Sequence, residues 1–341
     1  MKHLCLIFFA VCWIFLSCDH EEASDSSPEF HLTVVTSFDG LGDMGYNDQV
    51  MAGVMRFYEA NDVSLSLIRP HKTDDVNQIL QNWLTSTQHQ DNSLLVLAGN
   101  EYEQLLTNRS LHLSGSQQIL LFESKNSHLP EGVSTFCINR YGASYLAGCM
   151  AKEHEAATII AAMKNNPILE ESIHGFSDGY ETHSSKKAEV KYLSAGGEGF
   201  AMADSAYRIA SQIHNAFIFP LAGGSNQGIY KYSREEDFYL PLIVGMDRDC
   251  SLVSDRIPFS MVVHIDKVVE KYLTDWMNQV PFPKNQTFGL NTGITDIVIS
   301  PVFYQNLIIW EDYYDHEDYW ENAYQNHKTE ASEKEERHEE P

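Results

Sequence analysis

Along most of this chain, short apolar runs alternate with stretches in which apolar residues return every three or four positions. The runs LTVVTS (32–37), VSLSLI (63–68), LLVLAG (94–99), QILLFE (118–123), STFCIN (134–139), ATIIAAM (157–163), EVKYL (189–193), NAFIFPLAG (215–223), LPLIVGM (240–246), FSMVVHI (259–265) and DIVIS (296–300) read as strands. Between them, DQVMAGVMRFYEAN, VNQILQNWLTSTQ, YGASYLAGCMAKEH and DSAYRIASQIH carry the helical pattern. A strand buried on both faces shows a continuous apolar run, so the alternation predicts an α/β fold of βαβ units with mostly parallel sheets and helices on both faces. The pattern covers about residues 31–310, more than one doubly wound sheet needs, and predicts two lobes. A (β/α)8 barrel is disfavoured, because eightfold regularity is absent and AGG-type loops end strands in both halves. The expected division is 31–138 plus 248–284 for the N-terminal lobe and 139–247 plus 285–310 for the C-terminal lobe.

The two ends depart from this pattern. Residues 1–17, MKHLCLIFFAVCWIFLS, place Lys2 and His3 before an apolar block and a small residue before Cys18. That is the layout of a secretory signal, too short and wrongly flanked for a permanent span. Phe15-Leu16-Ser17-Cys18 also fits a bacterial lipobox, which makes Cys18 the lipidated mature N-terminus and residues 18–30 a polar tether. At the other end, residues 311–341 hold twelve acidic against three basic side chains. Within this acidic tail EDYYDHEDYWENAY mixes aromatics with acids, whereas KTEASEKEERHEE (328–340) offers nothing large and apolar to bury and is expected to be solvated and disordered.

The net charge of −25 argues against nucleic acid as a partner, since phosphate binding needs basic stripes. With Cys5 and Cys12 in the signal and Cys18 lipidated, Cys137, Cys149 and Cys250 remain. An odd number without CxxC spacing gives neither a disulfide framework nor a zinc pattern, and the three are expected to be small buried hydrophobes. The histidines show no HExxH spacing, and EDYYDHED lacks the glycine turn of an EF-hand loop, so no metal or other cofactor is expected.

Chemistry concentrates in loops that follow strands. In VVTSFDGLGDMGYNDQVMAGVMRFYE (34–59) an apolar run enters a Gly- and Asp-rich loop and an amphipathic helix leaves it. In open α/β sheets the ligand crevice lies at the carboxyl ends of the strands. Tyr46 and Asn47 stand at the helix start, an aromatic face beside an amide, which suits a flat polar ring better than it suits catalysis. Similar loops follow at 98–100, 222–228 and 245–249. No P-loop, GxGxxG or GxSxG is present, and Ser225 in its glycine loop has no nearby His/Asp order, so an enzyme is not expected.

The order of several motifs adds to this. Asp39-Gly-Leu-Gly-Asp43-Met-Gly-Tyr46-Asn47 is followed by Tyr145-Leu146-Ala147-Gly148, His174-Gly175-Phe176-x-x-Gly179-Tyr180, Ala222-Gly223-Gly224-Ser-Asn-Gln-Gly228, Val244-Gly245-Met-Asp247-x-Asp249 and Ser260-Met261-Val262-x-His264-Ile265-Asp266. Together, over about residues 31–300, they resemble the basic membrane protein family of type I substrate-binding lipoproteins, which includes bacterial purine nucleoside receptors of ABC transporters. The resemblance implies a two-lobed type I periplasmic-binding-protein fold and a small nucleoside-like ligand between the lobes. It also implies a permease as partner and a location in the cell envelope, held at a membrane through the lipid on Cys18.

Residue by residue, the resemblance places the stacking aromatic on Tyr46 and the following amide on Asn47. The early carboxylate falls on Asp39, in a loop about two residues shorter than the family pattern, and the late carboxylate on Asp247. Glu123 falls where the family often has Asp, Phe200 maps to the second aromatic, and Gly223 lies in the glycine loop. Where the family carries a sugar-contacting lysine in Ser-x-x-Lys, this chain has Val263; losing an ammonium removes up to three donors from that corner. Two readings follow: a transport receptor for a purine nucleoside, or a sensing or surface-exposed lipoprotein of the same fold with another ligand and no transport role.

Overall fold

The computed structural model describes residues 29–38, 40–86, 91–107, 109–151, 156–182, 186–214, 216–235, 241–301, 303 and 319–339. The signal segment, Cys18 and Asp39 lie outside the described residues. Strands β1 (Phe30–Thr36), β2 (Val63–Ile68), β3 (Ser93–Ala98), β4 (Gln118–Phe122), β5 (Val133–Ile138) and β12 (Asn285–Phe288) form a parallel sheet in the order β12-β5-β4-β3-β1-β2. Its central strand β3 is buried along its whole length, which is why LLVLA shows no alternation. Helices α1 (Tyr46–Ala60), α2 (Thr73–Thr85), α3 (Glu103–Leu106) and α8 (Ile265–Met277) belong to this first lobe, with α8 packed on α1.

The second lobe contains β6 (Ala157–Met163), β7 (Glu189–Ser194), β8 (Phe217–Leu221) and β9 (Leu242–Ile243), a parallel sheet in the order β7-β6-β8-β9. Strands β10 (Gly245–Asp247), β11 (Phe259–Val263) and β13 (Thr295–Ile299) form a further sheet in which β13 runs antiparallel to β11. Val244 alone separates β9 from β10, so the two sheets are linked through one extended segment. Helices α4 (Tyr141–Ala151), α5 (Pro167–Thr182), α6 (Ala203–Ala210) and α7 (Asn226–Tyr232) cover it. Two motif glycines are explained by α4 and α5 packing backbone to backbone. A Cβ on Gly148 would stand 2.2 Å from the Phe176 carbonyl oxygen, and one on Gly179 would stand 2.0 Å from that of Tyr145.

The strand pattern read from the sequence holds, and two expectations are corrected. The expected division places a boundary between Asp247 and Arg248; in the structure the loop 248–258 leads from β10 to β11, which pairs with it. Strand β12, expected in the C-terminal lobe with residues 285–310, instead pairs with β5 at the edge of the first sheet. Its polar sequence NQTF gave no strand signal, since an exposed edge strand needs little apolar surface.

The acidic tail is the second correction. Residues Tyr319–Glu339 form a helix, α9, that packs on α4. Trp320 and Ala331 are fully buried, Trp320 beside Phe217, Phe259 and Phe303 at ring distances of 6.0, 5.3 and 6.3 Å. Lys328 and Tyr324 both bind Asp296 of β13, at 2.8 and 3.0 Å. Trp320, Tyr324, His327, Ala331 and Glu335 recur at helical spacing on one face. Composition hid that stripe because only one of its members is large and apolar.

Candidate functional site

Six of the seven expected ligand-site residues fall among the described residues: Tyr46, Asn47, Glu123, Phe200, Gly223 and Asp247. They lie at or just beyond the carboxyl ends of strands in the two lobes, Tyr46 and Asn47 at the start of α1 and Asp247 at the end of β10. The turn from β1 into α1 is organised by Asp43. Its Oδ1 accepts the backbone N–H of Gly45 (2.9 Å) and Asp48 (3.2 Å), and its Oδ2 accepts the backbone N–H and side-chain amide of Asn47 at 2.9 and 3.1 Å. Asp43 thus satisfies the free N–H groups at the start of α1, a stabilising place for a negative charge. Asn47 is buried and held by Asp43, so its amide is oriented by the loop.

Tyr46 packs its half-buried ring against the core. The guanidinium of Arg140 lies 6.0 Å from its ring centroid. Burial, and then the charge of Glu123, push the Tyr46 hydroxyl well above its ordinary pKa, so it remains a neutral donor. Arg140 is buried directly after β5. Its Nη2 donates to Glu123 Oε1 (2.8 Å), and its Nη1 donates to Glu123 Oε2 (3.3 Å) and to the Ile138 carbonyl (2.9 Å). Burial opposes the Arg140 charge, but Glu123 overrides it and holds the pKa above the usual guanidinium value. Glu123 also accepts the Ile138 N–H at 3.0 Å. Three donors therefore occupy this carboxylate, of about four lone-pair sites available.

Across the cleft, Asp247 ends β10. Its Oδ2 lies 2.6 Å from where a Cβ on Gly45 would stand, so only glycine admits the carboxylate there. Burial, with the Asp43 charge added and Arg140 opposing, raises its pKa to about 6. Asp247 has φ of 67° and Glu123 has φ of 59°, both left-handed and uncommon for non-glycine residues. Such backbone strain persists where the surroundings over-determine the geometry, and it clusters at binding sites. Here each lobe contributes one strained carboxylate at a strand end.

Gly223 (φ of 52°) lies beside Phe200, whose Cδ1 would be 3.0 Å from an added Cβ. Ser225 Oγ donates to the Gly199 carbonyl (2.7 Å) and accepts the Met202 N–H (2.5 Å), which ties the turn carrying Phe200 to the glycine loop. Hydrogen bonds span the lobes at this cleft: Gln49 Nε2 donates to the Asp247 carbonyl (2.6 Å) and Gln227 Nε2 to the Gly42 carbonyl (3.2 Å), and Lys125 Nζ after β4 donates to Glu171 Oε1 of α5 at 2.9 Å. The cavity between the lobes, lined by Asp43, Gly45, Gly223, Tyr230 and Asp247 among others, measures only about 20 Å³. That is room for about one water, whereas small-molecule pockets span roughly 300–1,000 Å³. In this arrangement the two lobes meet closely around Asp247 and leave no room there for a small molecule.

Val263, at the position of the expected lysine, is 1% exposed in β11 and belongs to the core. The buried cation near Tyr46 and Asp247 is Arg140, which the sequence reading missed; its only signal was a charge directly behind an apolar strand. Asp43 and Tyr230 were also missed. The Tyr230 hydroxyl accepts the Met246 N–H at 3.0 Å and so fixes the approach to Asp247. Cys137, Cys149 and Cys250 are buried thiols outside any disulfide, as expected. Among the described residues no group of three His, Cys, Asp or Glu is placed to hold a metal ion, and no helix is long and apolar enough to cross a membrane.

Comparison with known proteins agrees with this geometry. The family model described as "ABC transporter substrate-binding protein PnrA-like" matches residues 30–331. A protein of Listeria innocua named CD4+ T-cell-stimulating antigen is 21% identical over 68% of this chain and 67% of its own length. The Listeria monocytogenes protein of that name is 22% identical, over 66% and 64%. Among solved structures, a solute-binding protein of an ABC transporter system from Aeropyrum pernix superposes with a TM-score of 0.69 at 16% identity, covering 90% of each chain. A solute-binding protein from Burkholderia graminis in complex with D-arabinose superposes with a TM-score of 0.56 at 13% identity, covering 80% of this chain and 96% of that one. At these identities the structures share the fold.

Proposed function

The chain belongs to the family of PnrA-like ABC transporter substrate-binding proteins, and from that premise we propose that it captures a purine nucleoside between its lobes and delivers it to an ABC permease. The protein acts outside the cytoplasm, held to a membrane by lipid on Cys18, and carries out no chemistry on its ligand. The observation that carries the reading is the meeting of Asp247 from one lobe with the Asp43–Gly45 turn of the other, which line one small cavity, with Tyr46 next in the chain. Tyr46 offers an aromatic face of the kind that stacks on a planar ring. Asp247 is a desolvated acceptor for ligand hydroxyls, and Asp39 and Phe200 complete the set that the family resemblance implies.

Arg140 refines the role of Glu123. With its carboxylate already engaged by Arg140 and Ile138, Glu123 acts mainly by holding Arg140 beside the Tyr46 ring. Arg140 then supplies the cation that residue 263 lacks, from the opposite lobe.

The test is a thermal-shift screen followed by calorimetry on the soluble chain, against inosine, guanosine, adenosine, uridine, the free bases and ribose. A ligand that binds only the native state raises the melting temperature by mass action. Saturable stabilisation by purine nucleosides, weakened at least tenfold in Asp247→Ala, is the expected result. A flat response to every nucleoside beside a hit on another class would overturn the nucleoside assignment.

A further inference from the structure

We propose that the last turns of α9, residues 332–339, clamp the hinge and hold the lobes in their closed arrangement. Segments that connect the lobes follow β5, β11 and β12, and the end of α9 is seated on the first and third of them. Glu335 is 3% exposed, and its Oε2 accepts the backbone N–H groups of Leu290 (2.9 Å) and Asn291 (3.4 Å), directly after β12. The same carboxylate stands against Gly142, at the start of α4, and against Gly289. A Cβ on Gly142 would lie 2.8 Å from its Oε1, and one on Gly289 would lie 2.6 Å from its Oε2. Around it, the His338 ring stacks on Tyr141 at 4.1 Å and 11°. Asn291 donates its amide to Glu336 at 3.0 Å and accepts a hydrogen bond from Ser332.

Domain closure in two-lobed proteins is absorbed by φ/ψ changes at a few residues of the connecting segments. Gly289 stands in the third segment, which also holds Gly293, and Gly142 opens α4 directly after the first; glycine carries the least steric restriction, and one buried carboxylate fills the space beside both Gly142 and Gly289. Rotating either backbone moves the Leu290 or Asn291 N–H away from Glu335 or drives the chain into it. A buried carboxylate stripped of its donors is unfavourable, so opening the lobes requires the end of α9 to shift as well. The family match ends at Ala331, so the residues that touch the hinge lie past it. The clamp follows from the hinge geometry and does not depend on which ligand the cleft takes.

The experiment uses the ligand-free soluble chain with spin labels on cysteines at exposed Glu59 of the first lobe and Arg208 of the second, since the three described native cysteines are buried. Distance distributions are compared for the parent, Glu335→Ala, His338→Ala and the control Glu333→Gln, whose side chain faces solvent. In Glu335→Ala and His338→Ala the population at long distance should rise by about threefold or more, while the control stays with the parent. Parental distributions in both hinge variants, with circular dichroism unchanged, would overturn the clamp. Should Glu335→Ala fail to fold, His338→Ala decides alone, because it leaves the buried carboxylate in place and removes only the stack on Tyr141.

Discussion

Asp247→Asn should make the protein more stable and worse at its task. The carboxyl is held at about 6 by burial and the Asp43 charge, against roughly 3.9 in an unfolded chain. Between these values the folded state binds more protons than the unfolded one, so stability is fully present below about pH 4 and is lost as pH rises through about 6. The full difference corresponds to about 3 kcal/mol at neutral pH. Because Asp247 is only half-buried, solvent screening brings the expected cost down to about 1–2 kcal/mol. Asparagine removes the charge, keeps the shape and tolerates the left-handed backbone at this position. The variant should therefore melt roughly 2–4 °C above the parent at pH 7.5, and the gap should close towards pH 4. Differential scanning calorimetry across that range measures it. An equal gap at both pH values, or a variant less stable than the parent at pH 7.5, would refute the electrostatic argument.

Other expectations follow from single contacts. Tyr46→Ala should weaken nucleoside binding far more than Tyr46→Phe in calorimetry; equal losses would argue against stacking. Arg140→Met strands a buried carboxylate and should cost about 3–5 kcal/mol in urea unfolding, with much of the loss recovered in Arg140→Met/Glu123→Gln. No recovery in the double variant would mean that packing, not the ion pair, accounts for the loss. Trp320→Ala empties a fully buried site and should destabilise by about 3–5 kcal/mol, whereas an unchanged unfolding curve would return residues 319–339 to a solvated tail.

The parts of this fold that could be read from the sequence are those in which burial repeats. Strand β3 is apolar at five of its six positions because both faces are covered, and α1 shows its buried stripe at Val50, Val54 and Phe57. What could not be read depends on single polar contacts between distant segments. The strand β12 exists through backbone pairing with β5 and has no apolar signature. The end of α9 is held by a glutamate that accepts backbone N–H groups about 45 residues earlier in the chain, and a buried glutamate looks the same in sequence as an exposed one. Of the proposed ligand contacts, Tyr46 at the start of α1 and Asp247 at the end of β10 stand where the strand–loop–helix pattern of the sequence drew attention. Arg140 was not, because its meaning comes from Glu123, a residue on the neighbouring strand end.

The electrostatics of the cleft connect these observations. Closing the lobes brings Asp247 of one towards Asp43 of the other, and removes both from part of their water. Asp43 is held by four N–H donors of its own loop, so the unfavourable share falls on Asp247, and its raised pKa records that cost. The Asp247 carboxylate is thus a poorly satisfied acceptor in the closed state, the condition in which a ligand hydroxyl gains most by donating to it. Left-handed backbone at Asp247 and at Glu123 adds strain at both walls of the same cleft. A sequence optimised for stability alone would relieve that strain and neutralise that charge. Their persistence on facing lobes makes the empty closed cleft costly, a cost that the contacts of α9 at the hinge offset and that a ligand donor would remove, so that a loaded closed state is more stable than an empty one.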